Sequence, residues 1–185
     1  YTEDYMADLA KEAIGLWDAL ERESGDRLIQ RSGLLNFGNE AYQSGPEGNL
    51  MAPKRNLERL NMPHRTLTAE EIMEEYPFKE LPKDYIGLFA ADNGVINVPQ
   101  LLRTLVRLCL LNGGKIFENA GVKNIEIDDS GVKVKAVDTE SGEHRWVYAK
   151  KAALTCGAYV NDLLRPNFGF ELDLDIWEMV YEYYT

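Results

Sequence analysis

The spacing of the apolar residues changes at Gly113-Gly114, and this change limits what the chain can fold into. Before the glycines the apolar residues recur at the helical interval, in the set Leu101, Leu102, Leu105, Val106, Leu108, Cys109 and Leu111. After them apolar and polar residues alternate over 122–127, 132–137 and 144–148, with glycine-containing turns between. The pattern predicts a helix buried on most of its surface, then one crossover strand at 115–117 and three antiparallel strands. The expected fold class is therefore mixed α+β.

Sequence signals upstream of this helix predict further helices and strands. We expect a long helix over 5–23, short strands at 28–30 and 34–37 that meet at a turn, and a surface loop over 39–49. A short helix around 53–60 follows, and Thr68 with Glu71 forms a capping box that opens a helix stopped by Pro77. This half is completed by a strand over 85–89, a turn at 92–94, extended residues 95–96, and Pro99 at a first-turn position with Asn97 or Val98 before it.

The last part of the chain predicts a strand, a sharp turn and a short helix. The apolar run 151–156 enters Gly157-Ala158, and a helix over 159–164 is expected to end at Pro166. From Leu172 to Tyr184 an apolar and aromatic run, which contains Tyr181, Tyr183 and Tyr184, predicts a further strand. We expect this strand to need partners beyond Thr185, and we expect both ends of the chain to be cut from a longer polypeptide. The exposed edge of the strand would then favour self-association.

Charge and composition exclude several classes of partner. The chain has 20 Lys and Arg against 31 Asp and Glu, a formal charge of −11, so nucleic acid and anionic membrane surfaces are not expected partners. No apolar run reaches the 18 to 20 residues that span a bilayer, and no secretory signal opens the chain. Two cysteines, Cys109 and Cys156, favour a reducing compartment over a disulfide framework.

Several short stretches, in their shared order and spacing, resemble the family of FAD-dependent oxidases that act on secondary and modified amino acids, such as sarcosine and pipecolate oxidases. The stretches are Tyr1 to Tyr5, Leu16-Trp17 with Leu20-Glu21, Ser32 to Gly38, Gly87 to Phe89, Asn93 to Ile96, Gly113 to Ile116, and Thr155 to Tyr159 with Leu163-Leu164. The resemblance implies an internal fragment of a two-domain FAD-binding oxidoreductase. Residues 1–95 would belong mainly to the substrate domain, 96–165 to the FAD domain, and 166–185 to the return toward the substrate-domain sheet.

The resemblance also implies which residues lie along the cofactor. The strand that begins at Val122 would pass the adenine through its backbone, and Cys156-Gly157-Ala158 would form the turn beside the adenosine half of FAD. A glycine at a strand end lets a backbone approach a ligand closely. An ordinary sheet position for Val122 and a plain strand-to-helix turn at 157–158 are the alternatives.

No catalytic residue can be assigned within the chain. It has no G-x-G-x-x-G, and the family's active-site basic groups, its flavin-tethering cysteine and an arginine pair before Tyr1 would lie outside it. Cys156 is expected to be a buried small residue and neither the tether nor a nucleophile, because no histidine is linked to it by a motif. His64 and His144 have no further ligands at metal-binding spacing.

These expectations define one leading function and one alternative. The intact enzyme would remove a hydride from the carbon beside a secondary amine nitrogen of a small amine or amino-acid substrate and pass electrons to oxygen, or to another carrier, in the cytoplasm or peroxisome. The fragment alone would bind FAD weakly or not at all and would be inactive toward sarcosine and pipecolate. The alternative is a stand-alone acidic α+β protein-interaction module without cofactor, which binds through the loop around Gly45-Pro46 and the aromatic C-terminal run. Tyr181, Tyr183 and Tyr184 would line the substrate cavity in the first case or pack in a core or interface.

Overall fold

A computed structural model describes residues 1–43, 49–176 and 178, and the chain divides into two compact units, Tyr1–Lys115 and Ile116–Thr185. The loop around Gly45-Pro46 and the aromatic residues Tyr181, Tyr183 and Tyr184 lie outside the described residues. Each unit combines helices with a three-stranded antiparallel sheet, which confirms the mixed α+β class.

Among its described residues, the first unit contains four helices and five strands. The helices are α1 (Asp4–Ser24), α2 (Met51–Arg59), α3 (Ala69–Glu75) and α4 (Val98–Leu111). The strands are β1 (Ile29–Gln30), β2 (Leu34–Asn39), β3 (His64–Thr68), β4 (Tyr85–Ala90) and β5 (Val95–Ile96).

The helix ends follow the predicted local signals. Thr68 Oγ1 accepts a hydrogen bond from the Glu71 amide at 3.2 Å, and the Glu71 carboxylate accepts one from the Thr68 amide at 2.7 Å, which is the predicted capping box. Asn97 caps α4 by accepting from the Gln100 amide at 3.1 Å. Gly25 ends α1 with φ of 73°, in the left-handed region that glycine adopts without steric cost.

Strand pairing in the first unit differs from the predicted turn between 28–30 and 34–37. β1 pairs with β5, whereas β2 and β3 both pair antiparallel with β4 in the order β2-β4-β3. Gly33, at φ of 78°, donates its amide hydrogen bond to the Asn93 carbonyl at 2.9 Å, so the chain between β1 and β2 is held against a distant segment. Strand β3 was not predicted, because only Leu67 in it is fully buried.

The core of this unit lies around the three-stranded sheet, and α4 remains largely outside it. Ile72 of α3 is fully buried, and a Cβ on Gly87 would come within 2.8 Å of its Cδ1, so glycine permits this close packing. The prediction that α4 is buried on most of its surface is wrong: Thr104 is its only fully buried residue within the described chain, and Leu111 is 73% exposed. No described element covers the apolar face of α4.

The second unit is an antiparallel meander followed by a turn and a helix. The meander order β6-β7-β8 confirms the three predicted strands, at β6 (Ala120–Asp128), β7 (Gly131–Asp138) and β8 (His144–Ala149). A 3₁₀ turn (Gly157–Tyr159) then leads into α5 (Asn161–Phe168).

Three predictions in this region are wrong. Residues 115–117 and 151–156 form no strand, because neither segment has a hydrogen-bonded neighbour strand within the described residues. Pro166 does not end the last helix, which continues to Phe168 and stops at Gly169 with φ of 74°. Proline removes one intrahelical hydrogen bond, and a short helix packed on a sheet can tolerate that loss.

In the part of the chain that the structure describes, no helix is long and apolar enough to cross a membrane.

Candidate functional site

The turn predicted to lie beside the cofactor is open to solvent. Gly157 has φ of 57°, and a Cβ built on it would meet no atom within 4 Å. Gly157 and Ala158 are exposed, and Tyr159 is 74% exposed. Cys156 was expected to be buried but is only half-buried, because the turn around it is open; it has a free thiol and stands at the N-cap of the 3₁₀ turn. The backbone of this turn is therefore accessible to a ligand, and Gly157 has no side chain that would block the approach.

Val122 lies on the outer strand of the meander, and one edge of this strand has no strand partner among the residues that the structure describes. It pairs with Ala136 of β7, and the register shifts between Val122 and Asn124 at a bulge that leaves Lys123 unpaired. Bulges disrupt the ladder locally and re-aim the groups beside them. Because β6 is at the edge of its sheet, its outward backbone groups are not used by a second strand of that sheet, and one of them, the Ile125 amide, bonds to a side chain instead.

Helix α5 connects the turn to the strand. The Ile125 amide of β6 donates a 2.7 Å hydrogen bond to Oδ1 of Asn167, and Leu164 on the same helix is 7% exposed. The structure thus packs the helix that begins directly after Cys156-Gly157-Ala158 on the strand that contains Val122. Sequence reasoning missed Asn167; an amide side chain in the last turn of a short helix was the available signal.

The carboxylates at the ends of the meander strands are engaged in turns. The Ser130 hydroxyl and amide hold the pKa of Asp128 below its usual value. Backbone amides of Ser141 and Glu140 lower the pKa of Asp138 in the same way. Within the described residues no group of three His, Cys, Asp or Glu side chains could hold a metal ion. These acids stabilise hairpins and do not form a site.

The first unit holds a cavity of about 490 Å³ between α1, α2 and the sheet. Its lining is mainly apolar, including Trp17, Leu57 and Ala90. Its two cations already have partners: Lys11 Nζ donates to the Leu60 carbonyl at 2.8 Å, and Arg31 binds Asp18 and the Asp92 carbonyl. This arrangement offers space for an apolar group but assigns no particular ligand.

Comparison with known proteins identifies the class to which this fold belongs. The sequence profile of the FAD dependent oxidoreductase family matches residues 1–184. A variant of NikD, an unusual amino acid oxidase essential for nikkomycin biosynthesis, has the same fold in its open form with a TM-score of 0.76 and 32% identity, over 90% of this chain and 40% of that one. The chain belongs to the FAD-dependent oxidoreductase family.

Two curated relatives place it more narrowly. It is 48% identical, over its whole length, to 18% of a Dictyostelium discoideum protein that is named, provisionally, a bifunctional amine oxidase. It is 33% identical, over 94% of its length, to 41% of human peroxisomal sarcosine oxidase. The chain thus spans less than half the length of these relatives, and the match does not favour the cofactor-free interaction module.

The residues of the turn and strand fit the adenosine part of an FAD molecule. Gly157 leaves open space beside its backbone, and β6 offers edge hydrogen-bonding groups next to Val122. The contacts of Val122, Cys156, Gly157 and Ala158 with FAD stay predictions.

Proposed function

We propose that the protein is an FAD-dependent oxidoreductase that oxidises small secondary amines or modified amino acids at the carbon beside the nitrogen. The family match over residues 1–184, together with the relatives named as sarcosine and amine oxidases, carries this proposal. When FAD is bound, its flavin ring accepts the hydride, and oxygen is the proposed electron acceptor.

The described residues would hold and orient the cofactor. The backbone at Val122 would pair with the adenine, because an edge strand presents unpaired amide and carbonyl groups in a row. The turn at Cys156-Gly157-Ala158 would pass along the adenosine half, where the absence of a side chain on Gly157 permits close approach. No residue among those described is proposed to take or give a proton during the reaction.

We propose that residues 1–95 contribute to substrate binding, residues 96–165 to FAD binding, and residues 166–185 to the return toward the substrate-domain sheet. The cavity beside Trp17 is compatible with an apolar substrate group in the first part. A peroxisomal or cytoplasmic location is part of the proposal, and the name of the human relative supports the former.

The proposal is tested with the protein expressed from its complete reading frame. Purified protein should show flavin absorbance and should release hydrogen peroxide with sarcosine, pipecolate or N-methyltryptophan in air. An assay with an artificial electron acceptor under nitrogen separates an oxidase from a dehydrogenase. A protein that binds no flavin, or that oxidises none of these amines with either acceptor, would contradict the proposal.

A further inference from the structure

Asn167 joins two parts of the second unit that are far apart in sequence. Its Oδ1 accepts the hydrogen bond of the Ile125 amide at 2.7 Å, and its Nδ2 donates to the Leu163 carbonyl at 2.8 Å. The first bond crosses from helix α5 to strand β6, and the second stays within the helix. One side chain therefore uses its acceptor and its donor at the same time.

The chemistry of these two bonds requires an amide. An aspartate could accept from Ile125 but would place a carboxylate oxygen against the Leu163 carbonyl, whereas a leucine could make neither bond. Ile125 is 6% exposed, so its amide has little access to water if Asn167 is lost. An unsatisfied buried donor costs more than the hydrogen bond itself contributes.

The position of this bridge connects it to the proposed cofactor contacts. Ile125 follows the β6 bulge, which separates it from Val122, and Asn167 lies on the helix that begins directly after the 3₁₀ turn at Gly157–Tyr159. The bulge interrupts the pairing of β6 with β7 beside Val122, whose backbone is proposed to contact the adenine. A bond from α5 to Ile125 fixes that strand relative to the turn.

We infer that Asn167 is a positioning residue for FAD, which holds the Cys156-Gly157-Ala158 turn in register with Val122 so that both contact the adenosine half together. This inference rests on the proposed function. Asn167 itself does not touch the reacting atoms; it acts through the backbone of β6 and through α5.

The test compares variants of the protein from its complete reading frame. Asn167→Leu removes both bonds and should weaken FAD binding about tenfold, and Asn167→Asp, which keeps the acceptor, should weaken it about threefold. Asn112→Leu is the matched control, because Asn112 makes the same kind of bond to the carbonyl four residues earlier, Leu108, and among the described residues it has no side-chain bond to another element. Asn112 lies in the first unit and is not one of the residues proposed to contact FAD. Its FAD affinity should stay within twofold of the wild type.

Two further readouts separate positioning from general damage. Amide hydrogen exchange at Ile125 should become faster in Asn167→Leu and stay unchanged in Asn112→Leu. At saturating FAD, kcat and the amine KM of Asn167→Asp should equal those of the wild type, because only cofactor binding is affected. If Asn167→Leu does not fold, the affinity and kinetics of Asn167→Asp decide the question.

The outcomes distinguish this inference from the proposed function. Wild-type protein that binds no FAD overturns both. If the wild type binds FAD and the Asn167 variants bind it with the same affinity, the positioning role alone is overturned. The same follows if kcat of Asn167→Asp stays below the wild-type value at saturating FAD.

Discussion

The hydroxyl of Thr104 in α4 donates a 2.6 Å hydrogen bond to Oδ2 of Asp26, and this bond lowers the pKa of the carboxyl group. Arg107 adds a second bond to the same oxygen at 2.7 Å, and Gln100 donates to the Thr104 hydroxyl at 3.5 Å. The cluster attaches α4 to the segment between α1 and β1. Thr104 is fully buried, whereas the Asp26 side chain is 26% exposed, so water reaches the bond from the carboxylate side.

This cluster should make stability depend on pH. A carboxyl whose pKa is lower in the folded state stabilises the fold above its unfolded pKa of about 3.9, and loses that effect as the pH falls through the folded value. Thr104→Val removes the largest cause of the lowered pKa. Urea unfolding should show a clear deficit for this variant near pH 7 that narrows toward about pH 3, whereas Thr104→Ser should keep the wild-type pH profile. A deficit of equal size at both pH values would contradict the role of the Asp26 charge.

Gly94 should be intolerant of any side chain, for a reason visible only in the fold. A Cβ there would overlap the carbonyl oxygen of Gln30 and lie 2.9 Å from the Cα of Arg31, both of which are backbone atoms that cannot move away easily. Gly94→Ala should lower the free energy of unfolding by roughly 2 kcal/mol or more. Gly15→Ala is the control: its Cβ meets nothing within 4 Å in the middle of α1, and it should raise stability by about 0.5 to 1 kcal/mol. Equal effects of the two substitutions in thermal unfolding would contradict the packing at Gly94.

The capping box at the start of α3 should contribute measurably to stability. Thr68→Ala removes the acceptor for the Glu71 amide and should cost about 1 kcal/mol in denaturant unfolding. Thr68→Ser retains the hydroxyl and should cost much less. A loss as large in Thr68→Ser as in Thr68→Ala would show that the methyl group, and not the cap, is responsible.

Local and long-range features differ in how well the sequence predicts them. The Thr68 box, the Asn97 cap and the meander turns depend on atoms within a few residues, so their patterns are visible in the sequence. The pairing of Ile29 with Ile96 depends on a neighbour 67 positions away, which no local pattern specifies. The exposure of α4 arises because no element in the described part of the chain covers it, which its apolar spacing cannot reveal.

The candidate site shows the same division. The bend at Gly157 was predicted, because glycine at the end of an apolar run marks a turn, and the structure places a left-handed residue there. The expected strand before it was wrong, since residues 151–156 find no partner strand within the described chain. The hydrogen bond between Asn167 and Ile125 joins residues 42 positions apart, and the local sequence around neither residue predicts it.

A side chain at Gly157 should weaken FAD binding more than it weakens the fold. Gly157 and Gly142 both have positive φ, 57° and 74°, and a Cβ on either meets nothing within 4 Å, so alanine imposes similar backbone strain at both. Gly142 lies in the turn before β8 and is not one of the residues proposed to contact FAD. In the protein from the complete reading frame, Gly157→Ala should weaken FAD binding about tenfold or more, and Gly142→Ala by less than twofold. Similar affinities of the two variants would remove Gly157 from the cofactor site.

The hydrogen-exchange footprint of FAD on the protein from its complete reading frame tests the proposed cofactor contacts. FAD is expected to slow exchange at Val122 in β6 and at the amides of Gly157 and Ala158, while exchange in the β7–β8 turn around Gly142 stays unchanged. Tight FAD binding that leaves the amides of Val122, Gly157 and Ala158 unprotected would contradict these contacts.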